Sequence, residues 1–409
     1  MSRITAKMKQ KHNPETGKLL RGIMLLGFAL RLAAAIWLPD QSAQWPDANA
    51  YRAIGEHLRT TGQFTSTMFM PLYPLMIAVA GPGWPQLLVD MVLSTVLIWI
   101  VYQISCELFA DRAAAALAAL MVAVYPQLIF FSIIGLTETV YITLVAAALL
   151  CWYRRSFVLA AIFAVLSILA RPSIDLLAPI LVVYFALVIH RMSGVQTLRQ
   201  ILVYAVVYCA LMVPWWLHNY EAYGTFVRLN LEGGEHFYSG NNPKNKTGGA
   251  NGGTEYTTDA FNAISDPVAR DKAFLQAGID YVRADPAAFL HLALLKFVRF
   301  WRLWPHYEDY RKPLYVILYC VTYVPIFLLT LVYLALWGVR EFFRVAPILA
   351  FGAYLTLVNV VFAASMRYRL PLEPFMIVFA AVAFVRLIRR WPAAKSLLSR
   401  TGLDAAPAY

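Results

Sequence analysis

The sequence predicts an all-α polytopic membrane protein, and three observations support this class. Hydrophobic residues make up 60% of the 409 residues, and charged residues make up only 14%. The mean hydropathy is positive, at +0.59. Apolar runs of about the length needed to cross a bilayer recur along the chain, with short polar segments between them. We therefore expect one integral membrane domain over residues 1–390 and a cytoplasmic tail over 391–409.

The apolar runs predict about ten transmembrane helices. The predicted spans are 20–38, 86–109, 113–129, 138–153, 156–170, 176–189, 200–217, 313–339, 345–366 and 370–385. The net charge of +12 comes largely from lysines and arginines that crowd the two ends of the chain. By the positive-inside rule, both termini lie in the cytoplasm. A charge placed in this way indicates a membrane topology and not nucleic-acid binding.

Two long segments, 39–85 and 218–312, are expected on the outer side, where they would form a cap over an active site. The first carries a short amphipathic helix that begins near Trp45. The middle of the second, 233–253, is rich in glycine and asparagine and predicts a mobile loop.

A helix over 286–304 is expected to close the second outer segment. Asp285 is its predicted N-cap, and Pro286 is its first residue. A basic stripe of Lys296, Arg299 and Arg302 recurs along this helix at every third position. Because the other faces are apolar, we expect the helix to lie in the membrane interface with these cations at headgroup level.

Polar and ionisable residues concentrate at the predicted outer ends of the spans. Since ionisable groups in membranes are costly and usually functional, this face is where chemistry is expected. The residues are Asp47, Arg52, His57, Glu138, Arg171, Asp175, His218, Asn219, Arg367 and Arg369.

Several short motifs at this face carry a resemblance to a known superfamily. They are Asp47-Ala48-Asn49-Ala50-Tyr51, Pro71-Leu72-Tyr73-Pro74, Tyr125-Pro126 and Thr137-Glu138, followed by the stretches Pro214–Pro243 and Arg367–Pro374. In order and placement they resemble the GT-C superfamily of polyprenyl-phosphate-sugar glycosyltransferases. The most similar branch contains bacterial proteins that resemble protein mannosyltransferases (glycosyltransferase family 39) and the lipid A aminoarabinose transferase. The resemblance covers residues 20–390.

The resemblance implies a GT-C fold and a specific kind of reaction. Such an enzyme moves a sugar from undecaprenyl phosphate to a hydroxyl group of a lipid, glycan or protein acceptor, with inversion at the anomeric carbon. It would act on the outer face of a bacterial inner membrane. A lipid or glycolipid flippase and a non-catalytic subunit of an envelope complex stay open as alternatives.

Asp47 matches the acidic residue of the family's first outer loop, and the resemblance makes it the catalytic base. A phosphate leaves as a stable anion that needs little protonation, so one carboxylate base suffices. The alternative is that Asp47 caps its helix. Tyr51, one turn later, matches a family aromatic near the donor, although a core tyrosine would fit equally. Tyr73 is expected to contact sugar or acceptor.

The donor phosphate calls for cations, and Arg171, Arg367 and Arg369 are the candidates. The alternative for each arginine is that its side chain only extends to the lipid headgroups. The chain departs from its relatives in two places: Phe69-Met70 replaces a lysine, and His218 replaces an arginine. His218 and His57 therefore join the predicted donor-binding residues, with the basic stripe as a substitute.

Glu138 is expected to orient the acceptor or, with Asp47, to hold a divalent cation as in some GT-C members. Two carboxylates are few for a metal site, so a reaction without metal or other cofactor is predicted. Asn241 and Asn242 are expected to close over sugar or acceptor. For residues 244–253, the alternative to a loop that closes over the substrate is a disordered outer loop.

Overall fold

The computed structural model describes residues 14–38, 45–66, 68–249, 258–304 and 313–390, and within these ranges the chain forms helices and turns without a β-strand. The helices are α1 (Pro14–Trp37), α2 (Pro46–Thr61), α3 (Leu72–Ala80), α4 (Trp84–Phe109), α5 (Arg112–Val124), α6 (Pro126–Phe131), α7 (Glu138–Tyr153), α8 (Phe157–Ala170), α9 (Leu177–Tyr184), α10 (Gly194–Tyr223), α11 (Gly233–Gly240), α12 (Asp259–Asn262), α13 (Pro267–Ala284), α14 (Pro286–Phe300), α15 (Pro313–Tyr333), α16 (Phe342–Val361) and α17 (Glu373–Ile388). Two 3₁₀ helices, Pro172–Ile174 and Met366–Leu372, precede α9 and α17. The predicted tail 391–409 lies outside the described residues.

The predicted all-α architecture is confirmed. In the described part, six helical stretches are long and apolar enough to cross a membrane: Thr16–Trp37, Trp84–Phe109, Gly194–Tyr223, Pro313–Gly338, Phe342–Val361 and Met366–Ile388. The four other predicted spans fall on shorter apolar helices, which are Arg112–Val124, Glu138–Tyr153, Phe157–Ala170 and Leu177–Ile189. A multi-pass membrane protein is the class that this set of helices defines.

The bundle is built around the alanine-rich helix α5. This helix packs against α1, α4 and α17. Seven of its alanines are buried, and their small side chains let neighbouring backbones approach closely. Helix α17 is apolar on every side, and most of its residues are buried. A helix with that composition belongs inside the bundle, which is where the structure has it.

Arg31 is the one charged residue that the sequence places deep inside the first span, and the structure buries it completely. Its guanidinium donates to Ser94 Oγ of α4 at 2.8 Å and to the Ala123 carbonyl of α5 at 3.1 Å. It also donates to the Gly27 carbonyl of its own helix at 2.8 Å. Arg31 therefore ties three helices together.

The two ends of the bundle carry different ionic groups. Helix α7 begins at Glu138, where the predicted functional residues lie, and at its other end Arg154 pairs with Glu107 at 2.7 Å. Arg386 and Glu341, 2.7 Å apart, form a further pair. These ion pairs join helix ends outside the predicted functional face, so polar groups are less confined to one face than the sequence indicated.

The second outer segment is folded where a mobile loop was predicted. Residues 233–240 form α11, which packs on α13. The following turn is organised by Asn245, whose Nδ2 donates to the carbonyls of Ser239 at 2.7 Å and Gly249 at 2.9 Å. The expected loop is therefore wrong for residues 233–249, while 250–253 lie outside the described residues. The predicted helix 286–304 ends earlier, at Phe300.

Candidate active site

Asp47 lies in the first turn of α2 and does not cap that helix. The N-cap position belongs to Trp45, which makes no side-chain capping bond, and Pro46 is the first helical residue. The Asp47 carboxylate, 44% exposed, instead accepts a hydrogen bond from Arg367 Nη1 at 2.8 Å. The capping alternative therefore does not describe what this side chain contacts.

Glu138 is the buried centre of the site. Its side chain has 0% exposure at the start of α7. Oε1 accepts hydrogen bonds from Arg171 Nη1, at 2.8 Å, and from Arg367 Nε. We call Asp47, Glu138, Arg171 and Arg367 the carboxylate–arginine cluster. Its four formal charges balance, which offsets the cost of burying them.

Two aromatic rings hold the guanidinium groups of the cluster in place. Arg367 lies over the Trp45 ring at 5.3 Å from the ring centre. Arg171 lies over the Tyr368 ring at 4.8 Å. Attraction between a cation and an aromatic face adds to the ion pairs and fixes the plane of each guanidinium.

A cavity of about 70 Å³ adjoins the cluster. Its lining includes Asp47, Tyr51, Arg171 and Arg367, and it extends to Asn230 and Glu232 of the second outer segment. Ligand pockets for molecules of drug size are roughly 300–1,000 Å³. The cavity as described is smaller than that range.

Glu232 is a cavity residue that was not singled out from the sequence, although it lies inside the stretch Pro214–Pro243. Burial raises the pKa of its carboxyl group to about 7, and the nearby Asp47 acts in the same direction while Arg171 opposes it. Asn230 Nδ2 donates to Glu232 Oε2 at 3.1 Å. The sequence signal that could have identified Glu232 is its position directly before two glycines in a predicted outer loop.

The end of α10 positions the segment that leads to Glu232. Asn219 Nδ2 donates to the carbonyls of Val227 at 2.9 Å and Leu229 at 3.1 Å. Trp215 Nε1 donates to the same Leu229 carbonyl at 2.7 Å. Asn230 then donates to the Met68 carbonyl, which joins the second outer segment to the first.

Tyr51 forms part of the cavity wall, and Tyr73 packs behind Tyr51. Tyr51 lines the cavity and is buried, with its ring 4.5 Å from that of Phe69 and 5.3 Å from that of Tyr73. Tyr73 lies one layer deeper, where its hydroxyl donates to Asp90 Oδ2 at 2.6 Å. Tyr73 therefore supports Tyr51, while the cavity wall is made by Tyr51 itself.

Three further predicted donor-binding residues are not in the lining of the cavity. His57 is two to three turns after Asp47 on α2. His218 stacks on Trp215 with ring centres 5.3 Å apart, and packs edge-on against Phe64. Arg369 is fully buried, and its Nη1 donates to the carbonyls of Phe300 at 2.8 Å and Arg302 at 3.0 Å.

Asn241 and Asn242 are buried, and their side chains form hydrogen bonds with backbone groups of the cap and of its neighbours. Asn241 Nδ2 donates to the Val361 carbonyl at 2.9 Å, and its Oδ1 accepts from Lys296 Nζ at 2.7 Å. Asn242 Oδ1 accepts from the backbone N–H groups of Lys244 at 3.0 Å and Asn245 at 3.1 Å. Both side chains therefore brace the cap in this conformation.

Lys296 corrects the expectation of a basic stripe at headgroup level. It is fully buried, and burial lowers the pKa of its ammonium group to about 7. Its bond to Asn241 joins α14 to the turn after α11. Lys296 therefore points into the protein and not toward lipid.

We expect Gly234→Ala to destabilise the cap, whereas Gly233→Ala does not. A Cβ at position 234 would lie 1.9 Å from the backbone oxygen of Asp271, while a Cβ at position 233 meets no atom within 4 Å. Overpacking of this kind costs about 1–3 kcal/mol. Thermal unfolding of both variants in detergent, with matched wild type, measures the difference. Equal midpoints would contradict the packing of α11 on α13.

The residues present do not fit a divalent cation between Asp47 and Glu138. The Arg367 guanidinium bonds to both carboxylates and supplies the positive charge there. Within the described part of the chain, no group of three or more His, Cys, Asp or Glu side chains could hold a metal ion. No step of the reaction below is therefore assigned to a metal.

The helical bundle has the GT-C fold, as the comparison with solved structures shows. The fold is shared with the archaeal oligosaccharyltransferase AglB of Archaeoglobus fulgidus, solved in complex with an inhibitory peptide and a dolichol-phosphate, at a TM-score of 0.58 and 15% identity. A crystal structure of the Archaeoglobus fulgidus oligosaccharyltransferase in its apo form matches at a TM-score of 0.57 and 14% identity.

The likeness extends over almost all of this chain but only about half of either solved one. It covers 96% of this chain and 52% of the AglB chain, and 97% and 53% for the apo form. No protein-family model and no curated protein matches the sequence. At such low identity, the comparisons establish the fold alone.

Proposed function

We propose that this protein is an inverting glycosyltransferase that moves a sugar from a polyprenyl (undecaprenyl) phosphate to a hydroxyl group of a cell-envelope acceptor. The acceptor is a lipid, a glycan or a protein. The reaction takes place on the outer face of a bacterial cytoplasmic membrane, with both termini in the cytoplasm. The carboxylate–arginine cluster beside a cavity is the observation that carries this proposal. The dolichol-phosphate in the AglB complex supports a lipid-phosphate donor.

In this proposal, Arg171 and Arg367 bind the donor phosphate. Arg367 uses Nε and Nη1, and Arg171 uses Nη1, for the carboxylates. A guanidinium has five N–H donors, so each arginine has further donors for phosphate oxygens. Negative charge grows on the phosphate as the sugar departs, and cations already fixed in place stabilise that transition state.

Asp47 is proposed as the base that removes the proton of the acceptor hydroxyl. Its carboxylate lines the cavity and is partly exposed, so an acceptor can reach it. Glu138 has a different part, because its buried carboxylate orients both arginines. The hydroxyl oxygen attacks the anomeric carbon from the side opposite the phosphate, which inverts that centre.

A flippase is expected to carry polar residues through the depth of its spans, and the deep charge noted in this sequence is Arg31. Arg31 directs its donors to two neighbouring helices and to a carbonyl of its own helix. A flippase would move its lipid without breaking the sugar–phosphate bond. Consumption of the donor therefore separates the two functions.

We expect purified protein in liposomes to release polyprenyl phosphate from one member of a panel of undecaprenyl-phosphate sugars when envelope extract is present. Chelator should leave the rate within about twofold, because Arg367 supplies the cation between the carboxylates. Mass spectrometry of the lipid product measures this outcome. Consumption of no donor would contradict the proposed function, and loss of activity with chelator would contradict the metal-free site.

A further inference from the structure

Two outer segments each contribute a carboxylate to the wall of one cavity. Asp47 comes from α2, and Glu232 comes from the turn before α11. Arginine bonds to Asp47 and to Glu138, whereas the hydrogen-bond donor to Glu232 is the neutral amide of Asn230. A carboxylate with a neutral partner keeps its affinity for a proton, while an arginine-paired carboxylate loses part of it.

We propose that Glu232 is a second proton-accepting carboxylate of this site, on which the proton of the acceptor hydroxyl comes to rest after Asp47 has removed it. The proposal rests on the proposed glycosyltransferase function. It gives the reaction two carboxylates with different tasks.

The surroundings of Glu232 favour this task. Burial raises the pKa of Glu232 to about 7, Asp47 and Glu235 add to the increase, and Arg171 and the Asn230 amide oppose it. The other charged or titratable residues in the lining are Tyr51 of α2 and Arg367 and Tyr368 of the second 3₁₀ helix. His236 of α11 packs against Tyr368, and burial lowers the pKa of His236 to about 4. Near neutral pH, a substantial fraction of Glu232 is thus ionised and ready to accept a proton.

The step balances in atoms and charge. The acceptor O–H proton passes to Asp47, and the acceptor oxygen bonds to the anomeric carbon. The bond from that carbon to the phosphate oxygen breaks, and its electron pair leaves with the lipid phosphate. The proton then passes from Asp47 to Glu232. One negative charge disappears from the carboxylates and one appears on the phosphate, beside Arg171 and Arg367.

The ion pairs of the carboxylate–arginine cluster favour the proton transfer from Asp47 to Glu232. A protonated Asp47 no longer forms an ion pair with Arg367, which has 12% side-chain exposure. Moving the proton to Glu232 restores that pair. Neutral Glu232 is also the form that a desolvated position favours. Each turnover would end when Glu232 releases its proton to water.

The pH profile of kcat/KM for sugar transfer tests this proposal, with Glu232→Gln compared with wild type. Glu232 must be ionised to accept a proton, so the wild-type rate should fall as pH decreases below about 7. Glu232→Gln should be slower by about 10²-fold and should lose this decline near pH 7. Glu235→Gln removes the same charge one turn along α11 without touching the cavity lining. It should keep the rate and a decline on acidification, with the midpoint moved to lower pH because Glu235 adds to the raised pKa of Glu232.

A spectroscopic titration gives a second readout that does not need activity. The infrared band of a protonated carboxyl group, taken as wild type minus Glu232→Gln, should titrate near pH 7. A Glu232→Gln rate equal to wild type, or a slower variant with an unchanged pH profile, would overturn the proposal. A carboxyl band that titrates near pH 4 would overturn it too. Wild-type protein that consumes no donor would instead contradict the glycosyltransferase function itself.

Discussion

Arg367→Gln is expected to abolish sugar transfer and to destabilise the protein. The change leaves the fully buried Glu138 with one arginine partner instead of two, and it also removes the partner of Asp47. Breaking a buried ion pair from one side costs about 3–5 kcal/mol, because a charge stays behind without compensation. The proposed phosphate site loses a cation as well. Thermal unfolding in detergent and the donor-consumption assay measure the two effects on the same preparation.

Two comparison variants separate stability from chemistry. Arg386→Gln breaks an arginine–glutamate pair that lies outside the candidate site, so it should lower the unfolding midpoint while the folded fraction keeps its rate. The double variant Glu138→Gln/Arg367→Gln removes both charges and should recover part of the stability but none of the transfer. An active Arg367→Gln protein would contradict the proposal that Arg367 binds the donor phosphate.

Asp47→Asn is expected to lower the transfer rate by about 10³-fold with little change in stability. An amide keeps the shape of the side chain but cannot accept the hydroxyl proton, and loss of a general base costs roughly 10²–10⁴-fold. The Asp47 side chain is 44% exposed, so its pair with Arg367 is worth at most about 1 kcal/mol. Steady-state transfer and thermal unfolding provide the two measurements.

Asp266→Asn is the matched variant for this prediction. Asp266 is a true N-cap at the start of α13, where its carboxylate accepts from the N–H groups of Val268 and Ala269. Asparagine caps a helix about as well as aspartate, so stability and transfer should both persist. If Asp47→Asn behaved in the same way as Asp266→Asn, Asp47 would be a structural residue and the proposed base would have to be sought elsewhere.

The membrane architecture was readable from the sequence because it depends on local properties. A long apolar run has few options other than a helix in a bilayer, since every backbone polar group must be bonded within the segment. The order of spans then placed Asp47, Arg171 and Arg367 near one end of the bundle. Their direct ionic contacts were not readable, because Asp47 and Arg367 lie 320 positions apart in the chain.

The direction of individual side chains was decided by packing. Arg367 and Arg369 lie two residues apart in one 3₁₀ helix, which turns once in three residues, so their side chains leave in different directions. One reaches Glu138, and the other reaches carbonyl groups inside the bundle. Lys296 likewise has a periodicity typical of an interfacial stripe, yet it bonds to Asn241.

The sequence by itself determined that this is a helical membrane protein, and it placed several residues of the candidate site near one end of the bundle. Only the tertiary structure decided that Glu138 lies between two arginines and that Glu232 faces the cavity of Asp47. The physical reason is that hydrophobic runs act locally, through the solvent that surrounds each helix. Ion pairs and cavities form between segments that are distant in the chain, where only the packed bundle brings their side chains together.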